Sequence, residues 1–189
     1  MRYGKANLLD LLSLERLEQT CFACEAFSRR LIKNHLVNPR AVVFKATAPS
    51  GEIIGNIIGV LKKERGILTG RIFSLCVLES YRKGGVAAHL LRLLEEEWRL
   101  LDVGQLRLEV GVLNTVAQRF YIRHGYLQTP VILPGFYRNG TDALIMTKCL
   151  SEKKTPLVET PYLSRANGIA GPFKRLPPSS RVAYQNHHP

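Results

Sequence analysis

The stretch from residue 70 to residue 101 constrains the fold of this chain more than any other part of its sequence. A short apolar strand is predicted over residues 71–78 and an amphipathic helix over residues 86–101, where apolar side chains recur at helical spacing. Between them stand Gly84 and Gly85, which permit a tight strand-to-helix turn. Such a turn leaves the first N–H groups of the helix open to an anion such as a pyrophosphate. An ordinary turn without a ligand is the alternative interpretation of this motif alone.

The flanking sequence predicts one domain over residues 1–150. Leucines at helical spacing predict an amphipathic first helix over residues 7–20. Asn114 stands at an N-cap position before a short helix that Gly125 ends. The other predicted elements are helices over 28–35 and 115–123 and strands over 41–46, 52–62, 105–112, 126–133 and 142–150.

Residues 151–189 differ in character from the rest of the chain. They contain Thr155-Pro156, Thr160-Pro161 and Pro177-Pro178, and they show no apolar periodicity. This composition predicts a basic, mostly disordered tail.

The formal net charge of +12 attracts anions of many kinds. Nucleic acid, the ribosome, an acidic peptide and a polyphosphate cofactor all suit such a charge. The basic residues are spread along the chain, which is weaker evidence for nucleic-acid binding than a clustered patch. Contact with the ribosome or nucleic acid through the basic surface therefore stays open.

Targeting and metal-binding signals are absent from the sequence. No apolar run approaches the roughly 20 residues of a membrane-spanning helix, and the first residues do not resemble a signal peptide. A cytoplasmic protein without a membrane partner is predicted, and its four cysteines are expected to be reduced. Cys21 and Cys24 form a lone CxxC, which predicts core packing and no metal site.

Two motifs carry a resemblance to a known family. Residues 82–87 read Arg-Lys-Gly-Gly-Val-Ala and fit the Arg/Gln-x-x-Gly-x-Gly/Ala acetyl-CoA signature of the GNAT superfamily of N-acetyltransferases. The downstream residues Leu108-Glu109-Val110, Asn114, Ala117, Phe120-Tyr121 and Gly125-Tyr126 resemble the ribosomal-protein alanine N-acetyltransferase branch. The resemblance extends loosely over residues 3–150 and does not cover the tail. It implies a GNAT fold of the α/β (α+β) class, with a mixed, mainly antiparallel sheet that splays at the cofactor site between flanking helices.

The resemblance implies a site for acetyl-CoA as the acetyl donor. The backbone groups of Cys76 and Val77 are expected to pair with the pantetheine arm, with the Val77 N–H near the thioester oxygen. The Cys76 thiol itself is expected to serve packing. Asn114 is expected to contact the cofactor, and an ordinary N-cap role is compatible with that contact. The complete set of expected acetyl-CoA contacts is Leu75, Cys76, Val77, Arg82, Lys83, Gly84, Gly85, Val86, Ala87, Ala88 and Asn114.

The resemblance also implies an acid and a base for acetyl transfer. Glu109 is expected to be the general base, directly or through water, and Tyr121, twelve residues later, is expected to protonate the CoA thiolate. An exposed strand carboxylate is the structural alternative for Glu109. A buried aromatic residue is the alternative for Tyr121.

The acceptor is expected to be the N-terminus of a protein or peptide, with a ribosomal protein as one candidate. An α-amino group with a pKa near 7.7 to 8.0 loses its proton at neutral pH more cheaply than lysine near 10.4, by roughly 3 kcal/mol. Phe27 and Tyr137 are the expected acceptor contacts by resemblance. A small amine, a polyamine or a lysine side chain is the alternative acceptor. A non-catalytic module that binds ribosome or nucleic acid is the alternative of another class.

Overall fold

The sheet of the computed structural model contains eight strands within the described residues, which are 1–64, 66–150 and 181–182. The strands are β1 (Arg2–Lys5), β2 (Ala41–Thr47), β3 (Ile53–Glu64), β4 (Ile67–Val77), β5 (Gln105–Gly111), β6 (Leu127–Leu133), β7 (Ala143–Cys149) and β8 (Arg181–Val182). Their order is β1-β2-β3-β4-β5-β7-β6, and β8 pairs with β4. β4 is parallel to β5 and β8, and all other pairs are antiparallel. The predicted mixed, mainly antiparallel sheet is confirmed.

The predicted helices are also present and flank this sheet. They are α1 (Leu11–Phe22), α2 (Arg29–Val37), α3 (Val86–Leu100) and α4 (Thr115–Arg123). The first predicted helix begins as a 3₁₀ turn, Leu8–Asp10, before α1. α3 and α4 pack on one face of the sheet, and α1 and α2 pack on the other. These are called the α3/α4 face and the α1/α2 face below.

Trp98 of α3 fills a slot that two glycines leave open on the α3/α4 face. A Cβ atom built on Gly59 of β3 would lie 2.4 Å from the indole ring, and one built on Gly70 of β4 would lie 2.5 Å from it. The indole is fully buried, with 0% of its surface exposed. Both glycines are therefore required by close contact between helix and sheet.

The N-terminal strand β1 was not predicted from the sequence. Its four residues, Arg-Tyr-Gly-Lys, show no clear apolar alternation, and they pair antiparallel with β2 from Arg2↔Thr47 to Lys5↔Phe44. This strand forms through a pairing partner some forty positions away in the chain, so local sequence patterns do not reveal it.

The adjacent strands β4 and β5 separate part-way along their length. Their parallel pairing runs from Thr69↔Gln105 to Ile72↔Leu108 and extends no further among the described residues. β3 continues along the opposite edge of β4 as far as Val77. The space between β4 beyond Ile72 and β5 beyond Leu108 is called the β4–β5 gap below. It is the splay that the resemblance predicts.

Most of the predicted disordered tail lies outside the described residues. Its described part is β8, which pairs in parallel with Ser74 and Leu75 of β4. None of the helices in the described ranges is both long enough and apolar enough to span a membrane.

Candidate active site

The glycine loop joins the end of β4 to the start of α3. Gly85 is the N-cap of α3 with φ +79°, and Lys83 also has a positive φ of +63°. Gly85 has no side chain, and among the described residues no other side chain caps the start of α3. The N–H groups in the first turn of α3, from Val86 to Ala88, are therefore available to a ligand. A cavity of about 380 Å³ opens beside this turn, lined by Gly85, Ala88, His89, Leu91, Arg92, Glu95 and His124. The loop thus offers backbone donors and basic side chains to an anion.

Arg82, the first residue of the acetyl-CoA signature, reaches back to β4. Its Nε donates a hydrogen bond of 3.1 Å to the Val77 carbonyl. This contact ties the glycine loop to the last residue of β4, so that two parts of the predicted cofactor site are held together.

Alternation along β4 decides which backbone groups face the β4–β5 gap. The Leu78 N–H donates to the Ile54 carbonyl at 2.8 Å, so these two residues form a hydrogen-bonded pair. Cys76, two residues before Leu78, lies opposite Asn56, two residues after Ile54. Hydrogen-bonded pairs alternate in an antiparallel ladder, so the main chain of Cys76 faces β3. The register corrects the expectation for Cys76, because it is Leu75 and Val77 that present their N–H groups to the gap.

The Cys76 side chain belongs to a buried polar cluster on the α1/α2 face. Its thiol donates to Asn56 Oδ1 at 3.0 Å, and Ser74 Oγ donates to Glu18 Oε1 at 2.5 Å. Burial raises the pKa of the Cys76 thiol well above its usual value. The neutral thiol suits the packing role predicted for it.

Cys21 is buried as predicted, whereas Cys24 is exposed, so the core prediction is wrong for Cys24.

Glu109 lies one residue beyond the last β4–β5 pair and is 1% exposed. Arg71 Nε donates to its Oε2 at 2.9 Å, and Arg107 Nε donates to its Oε1 at 3.0 Å. The alternative of an exposed strand carboxylate is therefore wrong. Leu108 and Val110 point to the α3/α4 face, so Glu109 points to the α1/α2 face.

Arg71 and Arg107, which hold the Glu109 carboxylate, were not predicted from the sequence as part of the site. They lie opposite each other in the parallel pairing of β4 with β5. The Arg71 guanidinium also lies 4.7 Å from the centre of the Phe73 ring. The i, i+2 spacing of Arg107 and Glu109 was visible in the sequence, but the contribution of Arg71 depends on a strand register that the sequence does not show.

Tyr121 lies on the α3/α4 face, across the sheet from Glu109. Its ring is fully buried and makes edge contacts with Phe120 at 5.2 Å and Tyr126 at 5.1 Å between ring centres. The structure places it within the core as the alternative expected, and its role as the acid stays a prediction. Asn114 is the N-cap of α4, where its Oδ1 accepts from the Ala117 N–H at 3.1 Å.

Two loops that were expected to flank the acceptor meet over the α1/α2 face. Arg138 donates to the Cys24 carbonyl at 3.2 Å, and the Asn139 N–H donates to Glu25 Oε1 at 3.2 Å. Beside them lies Tyr137. A Cβ atom built on Gly111, two residues after Glu109, would lie 3.4 Å from its ring. Tyr137 is thus close to the predicted base along β5.

Phe27, the other expected acceptor contact, lies in the core beneath the α1/α2 face. Its ring is 2% exposed and lies 6.0 Å from the His35 ring, which in turn lies 5.3 Å from Phe73. The chain turns Phe27 inward between α1 and α2. Its role as an acceptor contact stays a prediction.

His35 is a buried histidine of α2 whose pKa is lowered to about 4 by burial. Its Nε2 has no hydrogen-bond partner within the described part of the chain. An unfolded histidine has a pKa of about 6.5, so between these values the unfolded chain binds more protons than the folded protein. This contribution to stability is complete above pH ~6.5 and is lost as the pH falls toward 4.

We expect His35→Leu to remove this component of the pH dependence. Urea unfolding at pH 7, 6, 5 and 4 measures the unfolding free energy. As the pH falls, this free energy should decrease less in the variant than in the wild type. His89→Leu is the matched control, since His89 is a partly exposed histidine in contact with Tyr3. If the wild type and His35→Leu lost the same unfolding free energy between pH 7 and pH 4, the assignment of this pH dependence to His35 would be contradicted.

Comparison with known proteins extends these observations. The model of the acetyltransferase (GNAT) family matches residues 9–126. An uncharacterized N-acetyltransferase of Methanocaldococcus jannaschii is 36% identical over 157 residues, covering 82% of this chain and 96% of that protein. An N-alpha-acetyltransferase of Sulfurisphaera tokodaii is 27% identical, covering 77% of this chain and 90% of that protein.

Solved structures share the fold. The ribosomal-protein-S18-alanine N-acetyltransferase from Escherichia coli superposes with a TM-score of 0.68 at 23% identity, covering 79% of this chain and 94% of that one. Other structures with this fold were solved with acetyl-CoA or CoA bound.

Proposed function

The chain belongs to the acetyltransferase (GNAT) family, and from that premise we propose that it transfers acetyl from acetyl-CoA to the N-terminal α-amino group of a protein or peptide. The observation that carries the proposal is the buried carboxylate of Glu109 beside the β4–β5 gap. The N-alpha-acetyltransferase of Sulfurisphaera tokodaii supports this class of acceptor. A cytoplasmic location is part of the same proposal.

The residues around the gap fit an acetyl-CoA donor. The open N–H groups at the start of α3 suit its pyrophosphate, and the N–H groups of Leu75 and Val77 suit the amides of an extended arm. Bound there, acetyl-CoA supplies the acetyl group as a thioester. The Val77 N–H would then donate a hydrogen bond to the acetyl oxygen and stabilise the charge that develops on it.

Glu109 and Tyr121 divide the proton transfers between the two faces of the sheet. As the amine nitrogen bonds to the acetyl carbon, Glu109 accepts the proton that the amine loses, directly or through water. As the carbon–sulfur bond breaks, Tyr121 donates a proton to the sulfur. Glu109 would act on the amine from the α1/α2 face, and Tyr121 would act on the sulfur from the α3/α4 face.

The two arginines orient the base through both of its carboxylate oxygens. Arg71 donates to Oε2 and Arg107 donates to Oε1, so the carboxylate is held in one position beside the gap. From that position it would accept the proton of the amine.

The acceptor would approach over the α1/α2 face, between the loops at residues 23–28 and 134–142. Tyr137 would contact the peptide, and the Arg138–Cys24 and Asn139–Glu25 hydrogen bonds would hold these loops together. An α-amino group suits this site because it is neutral more often than lysine at pH 7.

The test is turnover of acetyl-CoA on short peptides that differ in their first residue. We expect acetylation of free α-amines, located on the α-nitrogen by tandem mass spectrometry. Matched peptides with a blocked N-terminus and an internal lysine, and a polyamine, serve as competing acceptors. Turnover on those alone would move the acceptor class to side chains or small amines. Absence of acetyl-CoA binding by calorimetry would overturn the proposal in favour of a non-catalytic module.

A further inference from the structure

The edge of β4 that faces the gap is occupied by a segment of the same chain. β5 pairs with this edge as far as Ile72, and β3 covers the opposite edge through Val77. Beyond Ile72, Arg181 pairs with Ser74 and Val182 pairs with Leu75, both in parallel. β8 also lies beside β5. The C-terminal segment therefore enters the sheet in the place that β5 vacates.

We propose that β8 docks on the edge of β4 at Ser74 and Leu75 and competes there with acetyl-CoA. This inference rests on the proposed function, which assigns the same edge to the acetyl donor. The interaction surface is the gap-facing backbone of β4, and its occupant is Arg181–Val182 of the chain's own C-terminal segment.

Backbone chemistry explains why this edge accepts a strand. Leu75 is 1% exposed and turns its N–H and C=O toward the gap. Buried main-chain groups require hydrogen-bond partners, and an added strand supplies them whatever its side chains. An extended donor arm uses the same groups, so the two occupants exclude each other.

The connection along the chain is long enough for this docking. About 30 residues separate Leu150 from Arg181, and such a length spans at most ~100 Å when extended. The segment is covalently attached, so its docking is intramolecular and needs little intrinsic affinity. If β8 occupies the edge for about two thirds to nine tenths of the time, the apparent Kd for acetyl-CoA rises about three- to tenfold.

A double proline variant of the full-length protein tests the competition. Arg181→Pro with Val182→Pro removes both backbone N–H groups of β8 and prevents ladder pairing. We expect calorimetry to show about three- to tenfold tighter acetyl-CoA binding than in the wild type. Amide exchange measured by NMR without acetyl-CoA should be faster at Leu75 in this variant. Ala166→Pro with Asn167→Pro is the matched control and should leave both quantities unchanged.

The outcomes separate this inference from the proposed function. Equal acetyl-CoA affinity in all three proteins would overturn the competition while the proposed function stands. A lower KM for peptide with unchanged acetyl-CoA affinity would also overturn it, because the segment would then exclude the acceptor. If none of the proteins binds acetyl-CoA, the proposed function fails and the competition fails with it. Leu75 exchange would then still decide whether β8 docks.

Discussion

Glu109→Gln is expected to lower kcat/KM for α-amine acetylation by about 10²- to 10⁴-fold, the usual range for loss of a general base. Glutamine keeps the size of the side chain but cannot accept the proton from the amine. The buried position beside the gap and the two arginine contacts keep the carboxylate oriented in the wild type. Steady-state kinetics across pH, with acetyl-CoA binding measured in parallel, check the result.

Two further variants separate loss of chemistry from loss of stability. Asp10→Asn weakens another partly buried ion pair, Asp10 with Lys45 of β2, two strands from β4, and its turnover should remain near the wild-type value. Tyr121→Phe keeps the buried ring and removes the hydroxyl, so it should reduce kcat and leave acetyl-CoA affinity nearly unchanged. A folded Glu109→Gln protein with turnover within about threefold of the wild type would refute the assigned base.

Gly59→Ala is expected to destabilise the fold by about 3 kcal/mol, at the upper end of the usual cost of overpacking. The added methyl would stand 2.4 Å from an indole that is fully buried against β3 and β4, so ring and strand must both move. Denaturant unfolding monitored by circular dichroism measures the loss. Because Trp98 supplies the clash, Trp98→Leu should restore part of the stability in the Gly59→Ala background, as a double-mutant cycle would show.

Gly4→Ala is the matched control for this prediction. Gly4 also lies in a strand, its φ is not positive, and no atom lies within 4 Å of an added Cβ. Its effect should stay within about 0.5 kcal/mol. Similar losses at Gly4 and Gly59 would show that the cost comes from glycine removal in strands and not from contact with Trp98.

Some features of the site follow from local sequence and were predicted correctly. α4 spans Thr115–Arg123 as expected, because Asn114 caps it and Gly125 follows it. The glycine loop lies between β4 and α3, as its residues indicated. Caps and helical periodicity act within a few residues, and such interactions can be read from a single chain.

Other features depend on contacts between distant segments, and the sequence did not reveal them. The pairing of Arg71 with Glu109 requires the parallel register of β4 and β5, and the inward turn of Phe27 requires α1 and α2 to pack together. The backbone of Cys76 faces β3 because of one hydrogen-bond register. A shift of one residue would reverse that orientation, so no local pattern could decide it.

The sequence by itself determined the order of most elements, the α/β class and the family, since periodicity, capping and two motifs are local properties. Only the tertiary structure decided the environment of Glu109, the opposite face assigned to Tyr121 and the entry of β8 beside β4. The physical reason is that each of these depends on which strand edges meet and in what register. Strand register is set by the packing of the whole sheet.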